Sequence, residues 1–153
     1  MKNLRTHLIV FCILLVFSKV PVAQDLFTEH VVFNNFSNAV SIAGGDLDND
    51  GDIDMVATSF DGNYVAWMEN DGMQNFTKHI IIENLRDAHV LDVAHINDDN
   101  YYDIVCAAKA DDLILWFKND GLGNFTADTV VANWETASFV MAKDHFKNMD
   151  LIP

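Results

Sequence analysis

The chain has 153 residues, half of them apolar, two cysteines and a formal net charge of −14. That length holds one domain at most, and the apolar share can fill its core. The acidity repels phosphate backbones, which disfavours nucleic acid as a partner and favours divalent cations or cationic surfaces.

At the amino terminus, Lys2 and Arg5 precede an apolar run from Leu8 to Ser18, and Lys19 to Gln24 follows. This is the three-part pattern of a secretory signal peptide. The run is about eleven residues, well short of the roughly 20 that span a bilayer. The expectation is a signal peptide over residues 1–23, a secreted or cell-surface mature chain over 24–153, and no stable membrane span after cleavage. Cleavage removes Lys2, Arg5 and Lys19 and no acid, which takes the formal charge from −14 to −17. It also removes Cys12, which lacks the small-residue context of a lipoprotein site. Cys106 is then alone, no intrachain disulfide is possible, and the thiol reads as a small buried apolar residue.

The remainder is one unit written repeatedly. Phe27-Thr28-Glu29-His30-Val31-Val32 recurs 49 residues on as Phe76-Thr77-Lys78-His79-Ile80-Ile81, and again as Phe125-Thr126-Ala127-Asp128-Thr129-Val130. The same offset carries Asp54-Met55-Val56-Ala57 onto Asp103-Ile104-Val105-Cys106, Trp67 onto Trp116, and Asn70-Asp71-Gly72 onto Asn119-Asp120-Gly121. The units are 27–75, 76–124 and a partial 125–153.

Within the first unit, Val40 to Gly45 reads as an inner strand of small residues. Asp54 to Ser59 reads as a second strand buried on both faces. Asp61-Gly62 supplies a hairpin turn, since both residue types tolerate φ > 0. Tyr64 to Met68 is the third strand, Asn70-Asp71-Gly72 turns the chain, and Phe76 to Ile82 is the fourth. Four antiparallel strands every 40 to 50 residues give an all-β fold class: a partial β-propeller of four-stranded blades, about two and a half repeats long. Phe36, Leu85 and Trp134 follow successive fourth strands, and with Trp67 and Trp116 they are expected to pack between neighbouring blades. So few units cannot close a ring, so the sequence leads one to expect part of a longer propeller or a piece completed by self-association.

The chemistry concentrates between the first two strands. Asp46-Leu47-Asp48-Asn49-Asp50-Gly51-Asp52-Ile53-Asp54 places a carboxylate at every second position. Charges this dense must be diluted in solvent or neutralised by a cation. Calcium accepts six to eight oxygens in flexible geometry, and side chains at positions 1, 3 and 5 with a carbonyl at 7 can wrap it. Those positions are Asp46, Asp48, Asp50 and the carbonyl of Asp52, with Asp54 at position 9 as the closing ligand. Gly51 supplies the left-handed turn that curls the loop. An EF-hand is excluded, because position 12 is Ala57 and a strand follows instead of a helix. The competing reading is an Asx-rich turn that binds nothing.

Asp46-x-Asp48-x-Asp50-Gly51-x-x-Asp54, followed by apolar residues and by the repeated Asn-Asp-Gly-x-x-Asn-Phe-Thr ending, resembles the VCBS and FG-GAP repeats. These are extracellular propeller repeats also found in integrin α chains. The resemblance covers 27–153 and implies calcium on Asp46, Asp48, Asp50, Asp52 through its carbonyl, and Asp54. In the second copy His95, Asn97, Asp99, Asn100, Tyr101 and Asp103 take the equivalent positions, with less ligand charge. In the third, Asp144 to Ile152, Lys147 would bring a positive charge into a shortened loop.

No catalytic constellation accompanies the loop. The chain has no nucleophile elbow, no His-Glu-x-x-His and no carboxylate pair outside the loop with reason to differ in pKa. His30 and His79 are equivalent repeat positions and follow the strand pattern. The sequence therefore reads as a non-enzymatic, calcium-binding scaffold or adhesion module whose partners are an extracellular protein or glycan. The alternative is a lectin-like module in which Trp67 or Trp116 stacks on a sugar, or a non-catalytic part of a secreted carbohydrate-active enzyme. Asn35-Phe36-Ser37, Asn75-Phe76-Thr77 and Asn124-Phe125-Thr126 fit the glycosylation sequon.

Overall fold

The structure, a computed structural model, describes residues 29–135 and 137–143. The chain divides into a unit ending at Val31 and a second that begins at Val32; the second is described below. The expected signal peptide, Cys12 and the third acidic copy from Asp144 lie outside the described residues.

Alternating and continuous apolar runs become eight strands, with no helix among the described residues. β1 (Ala39–Gly45), β2 (Asp54–Ser59), β3 (Tyr64–Asn70) and β4 (Phe76–Glu83) form one antiparallel sheet in that order. β5 (Ala88–Ala94), β6 (Asp103–Ala108), β7 (Leu113–Asn119) and β8 (Phe125–Ala132) form a second. β2 and β6, the most continuously apolar segments, are buried along nearly their whole length. β4 and β8 are the outer edges and carry the exposed polar residues that discourage further pairing.

The repeat extends to backbone irregularities. A bulge between Ala39 and Ser41 recurs between Ala88 and Val90, and one between Val65 and Ala66 recurs between Ile114 and Leu115. Left-handed residues recur as Asn38 and Asp87, Asn63 and Asp112, Asn84 and Asn133. Asn and Asp tolerate this conformation better than other side chains, so the unit keeps them where the chain must turn. One turn differs from the expectation. Between β2 and β3 the positive φ (53°) falls on Asn63, not on Asp61-Gly62. Gly62 is instead needed for space, because the Tyr64 ring and Ser59 Oγ occupy the volume a Cβ would fill.

The two sheets share a core. Leu47, Val56, Val65 and Trp67 from the first unit meet Leu91, Ile104, Cys106, Leu115 and Phe117 from the second, and β1 and β2 lie against β5. Ser41 Oγ joins the inner strands, accepting from the Leu91 N–H at 3.2 Å. Trp67 is 5% exposed; its ring stacks on His79 and meets Phe125 edge-on. It therefore packs between the sheets as expected. Phe36 packs edge-to-face on Tyr64, and Leu85 is buried in the shared core. Trp134 departs from this pattern at 56% exposed, because no third sheet covers it among the described residues.

Candidate metal centre

Two strands that must reverse direction over eight residues, 46–53, fix the ends of the acidic loop. Gly45 pairs with Asp54 at the foot of β1 and β2, and the intervening residues curl through Asn49 (φ 63°) and Gly51 (φ 99°). The aspartates build the curl themselves. Asp46 accepts from the N–H groups of Asp50 and Gly51, both at 3.1 Å; Asp48 accepts from Asp50 N–H at 3.3 Å, and Asp50 from Asp52 N–H at 2.8 Å. These are Asx turns, which turn each side chain toward the loop's own backbone.

The result brings Asp46, Asp48 and Asp50 together, with carboxylate oxygens within 4.8 Å of one another. That spacing suits a shared ion, since calcium–oxygen distances are about 2.3–2.6 Å. All donors are hard oxygens, and among the described residues none of the loop's carboxylates forms an ion pair with Lys, Arg or His. The charge is felt locally. Burial, and then the neighbouring Asp54 and Asp50 carboxylates, push Asp48 above the ordinary carboxylate pKa. The donor set thus fits a hard divalent cation. The Asp52 carboxylate turns away toward Gly72, whose missing Cβ leaves room for it, so Asp52 would contribute its carbonyl.

Asp54 is placed differently from the other four. It is fully buried, accepting from Leu47 N–H at 3.0 Å through one oxygen and from Asn70 N–H at 2.8 Å through the other. Burial raises its pKa, and these two hydrogen bonds oppose the rise. Each oxygen keeps a second lone pair. Asp54 therefore ties the loop to the turn after β3 whatever else it binds.

The second copy keeps the shape with other chemistry. Asn100 (φ 66°) replaces Gly51 in the turn. His95 Nδ1 lies 3.1 Å from the carbonyl of Tyr101, which is the equivalent of the Asp52 carbonyl. The Asn97 amide donates to Asp99 at 2.6 Å, and the His95 ring stacks on Tyr102 at 4.0 Å. An imidazole and an amide here hold the groups that an ion could hold in the first loop. Asp103 accepts from Asn119 N–H at 2.9 Å; burial raises its pKa, and hydrogen bonds from Asn119, the Trp116 side chain and the Asn97 backbone oppose the rise.

Sequence reasoning took Asn70 and Asn119 only as turn residues. Asn70 Nδ2 donates to Ile53 O at 3.1 Å, and Asn119 Nδ2 donates to Tyr102 O at 2.9 Å. Each braces the loop of its own sheet. Their recurrence at one offset, next to an acidic loop that also recurs, is the signal that could have revealed this.

No curated protein matches the chain. Residues 46–106, from the first carboxylate of the loop into β6, match the family model of the FG-GAP-like repeat. The matched stretch, 61 of the 153 residues, is similar to the FG-GAP-like repeat and consistent with the FG-GAP/VCBS-like resemblance of the sequence.

Proposed function

We propose that the chain is a secreted, non-catalytic β-repeat module in which one calcium ion fixes the connection between β1 and β2. The ligands are Asp46, Asp48, Asp50, the carbonyl of Asp52 and Asp54. The two sheets serve as blades of a propeller, and the module acts as a scaffold or in adhesion. The observation that carries this reading is the convergence of three carboxylates, unpaired with any cationic side chain among the described residues, inside a stretch similar to the FG-GAP-like repeat.

Thermal melting in EDTA and in millimolar calcium tests it. Calcium at about a hundred times its Kd stabilises by about 2.7 kcal/mol, a rise in Tm of roughly 10 °C for a chain of this size. Asp50→Ala should lose that rise while melting normally in EDTA. Equal melting of the wild type with and without calcium would refute a structural ion.

A further inference from the structure

The first ligand of the loop, Asp46, is bracketed by residues that the second sheet holds. On one side, a Cβ at Gly45 would come 2.9 Å from Val93 Cγ1 and 3.3 Å from the Tyr102 ring, so the second sheet lies directly on the chain there. On the other side, the Leu47 side chain is 1% exposed in the core shared by the sheets. Its carbonyl accepts a 2.7 Å hydrogen bond from Asn119 Nδ2, 72 residues away. Asn119 is itself 4% exposed. Its backbone N–H is fixed on Asp103 at 2.9 Å, and its Oδ1 accepts from Gly121 N–H at 3.1 Å. The Leu47 N–H is engaged as well, by Asp54. Both backbone polar groups of Leu47 are thus fixed, one within its own loop and one by the neighbouring sheet.

We infer that Asn119 is a positioning residue for the metal loop of the other sheet, so that cation binding and docking of the two sheets are coupled. This rests on the calcium reading above. The physical reason is preorganisation: a loop whose ligands are already placed spends less ordering free energy when the ion arrives. Linkage makes the effect reciprocal, so the bound ion stabilises the sheet-to-sheet contact as much as the contact stabilises the bound ion.

The experiment is a calcium titration of the full chain by calorimetry, well below the melting temperature, on wild type, Asn119→Ala and Asn124→Ala. Asn124 clamps Asp120 in the same turn through a 2.9 Å hydrogen bond and does not reach Leu47; its variant therefore controls for loosening of the turn alone. Expected are a roughly fivefold weaker Kd for Asn119→Ala, the size of one lost buried hydrogen bond, and an unchanged Kd for Asn124→Ala. The calcium-induced rise in Tm should also shrink in Asn119→Ala. A wild type that binds no calcium overturns the metal reading and this inference with it. A wild type that binds, with Asn119→Ala within about twofold of it, or with Asn124→Ala weakened equally, overturns the coupling alone.

Discussion

Gly123 gives the sharpest test of how the sheets meet. It lies in the turn between β7 and β8 at φ 73°, and the equivalent position in the first unit is Gln74 at φ 66°. The turn itself therefore accepts a side chain. What forbids one at position 123 is the Trp67 indole of the other sheet, which already occupies the volume a Cβ would fill. Gly51 is the control, with φ 99° and nothing within 4 Å of a would-be Cβ. Left-handed strain alone costs about 1–2 kcal/mol, and this should be the whole effect of Gly51→Ala. Overlap with a buried ring adds about 1–3 kcal/mol, so Gly123→Ala should cost about 2–5 kcal/mol in total. Urea unfolding in EDTA, which removes any metal contribution at Gly51, measures both. Trimming the indole completes a double-mutant cycle: in a Trp67→Leu background, Gly123→Ala should fall back to the strain of about 1–2 kcal/mol. The packing argument fails if Gly123→Ala costs no more than Gly51→Ala, or if the cycle shows no coupling.

Three further outcomes follow from the same geometry. Asp54→Ala leaves the buried Leu47 N–H and the part-buried Asn70 N–H without their acceptor, at about 1–3 kcal/mol for the buried group and less for the other; a loss under about 1 kcal/mol in EDTA would contradict the role given to Asp54. Burial pushes the Cys106 thiol up to about 12 from 9.0, so it should resist a thiol reagent at pH 8 until the chain unfolds. Because the folded state keeps its proton where the unfolded state loses it, stability should hold below pH 9 and fall from pH 9 toward 12 by about 1 kcal/mol per unit; a stability flat to pH 11 would refute the assignment. Finally, Asp46→His with Asp48→Asn copies the second loop into the first, and should abolish the calcium-dependent rise in Tm without lowering Tm in EDTA. A marked loss of stability in EDTA would show that the second loop's closure depends on more than those two side chains.

Much of the fold was legible because one pattern is written repeatedly. β2 has the bounds read from the sequence, β1 and β4 each gain one residue, and β3 runs two further, to Asn70. The extra residues of β3, Glu69 and Asn70, pair with Thr77 and Phe76 of β4, and Asn70 N–H also donates to Asp54, a tertiary bond that no local pattern announces. The carboxylates of Asp46, Asp48 and Asp50 converge as their spacing requires, while the Asp52 carboxylate lies against Gly72 and Asp54 accepts from the N–H groups of Leu47 and Asn70, contacts set by the turn after β3 that local spacing does not show. The bond from Asn119 to Leu47 spans 72 residues and depends on how one sheet lies on the next, which periodicity within a unit cannot specify. The same limit explains Trp134, whose exposure depends on what lies beside it and not on its place in the repeat.

The two loops also show why their chemistries differ. The face of the first sheet that presents Leu47, Val56, Val65 and Trp67 is closed by the second sheet. The corresponding face of the second sheet presents Ile96, Val105, Ile114 and Trp116, and it lines an open groove of about 690 Å³. Val140, Met141 and Ala142 border that groove, with Ala142 N–H on Asp92 at 3.0 Å, in the stretch 49 residues on from β5. A loop carrying alternate carboxylates must be held against its own repulsion, and the first loop has that restraint on both sides of Asp46, at Gly45 and Leu47. The second loop sits beside the groove, which Ile96 lines. With His95 on the Tyr101 carbonyl and Asn97 on Asp99, it closes through its own side chains and carries less charge to restrain. Dense ligand charge therefore coincides with the loop that a neighbouring sheet braces, and the self-closing sequence with the loop that has no such brace among the described residues.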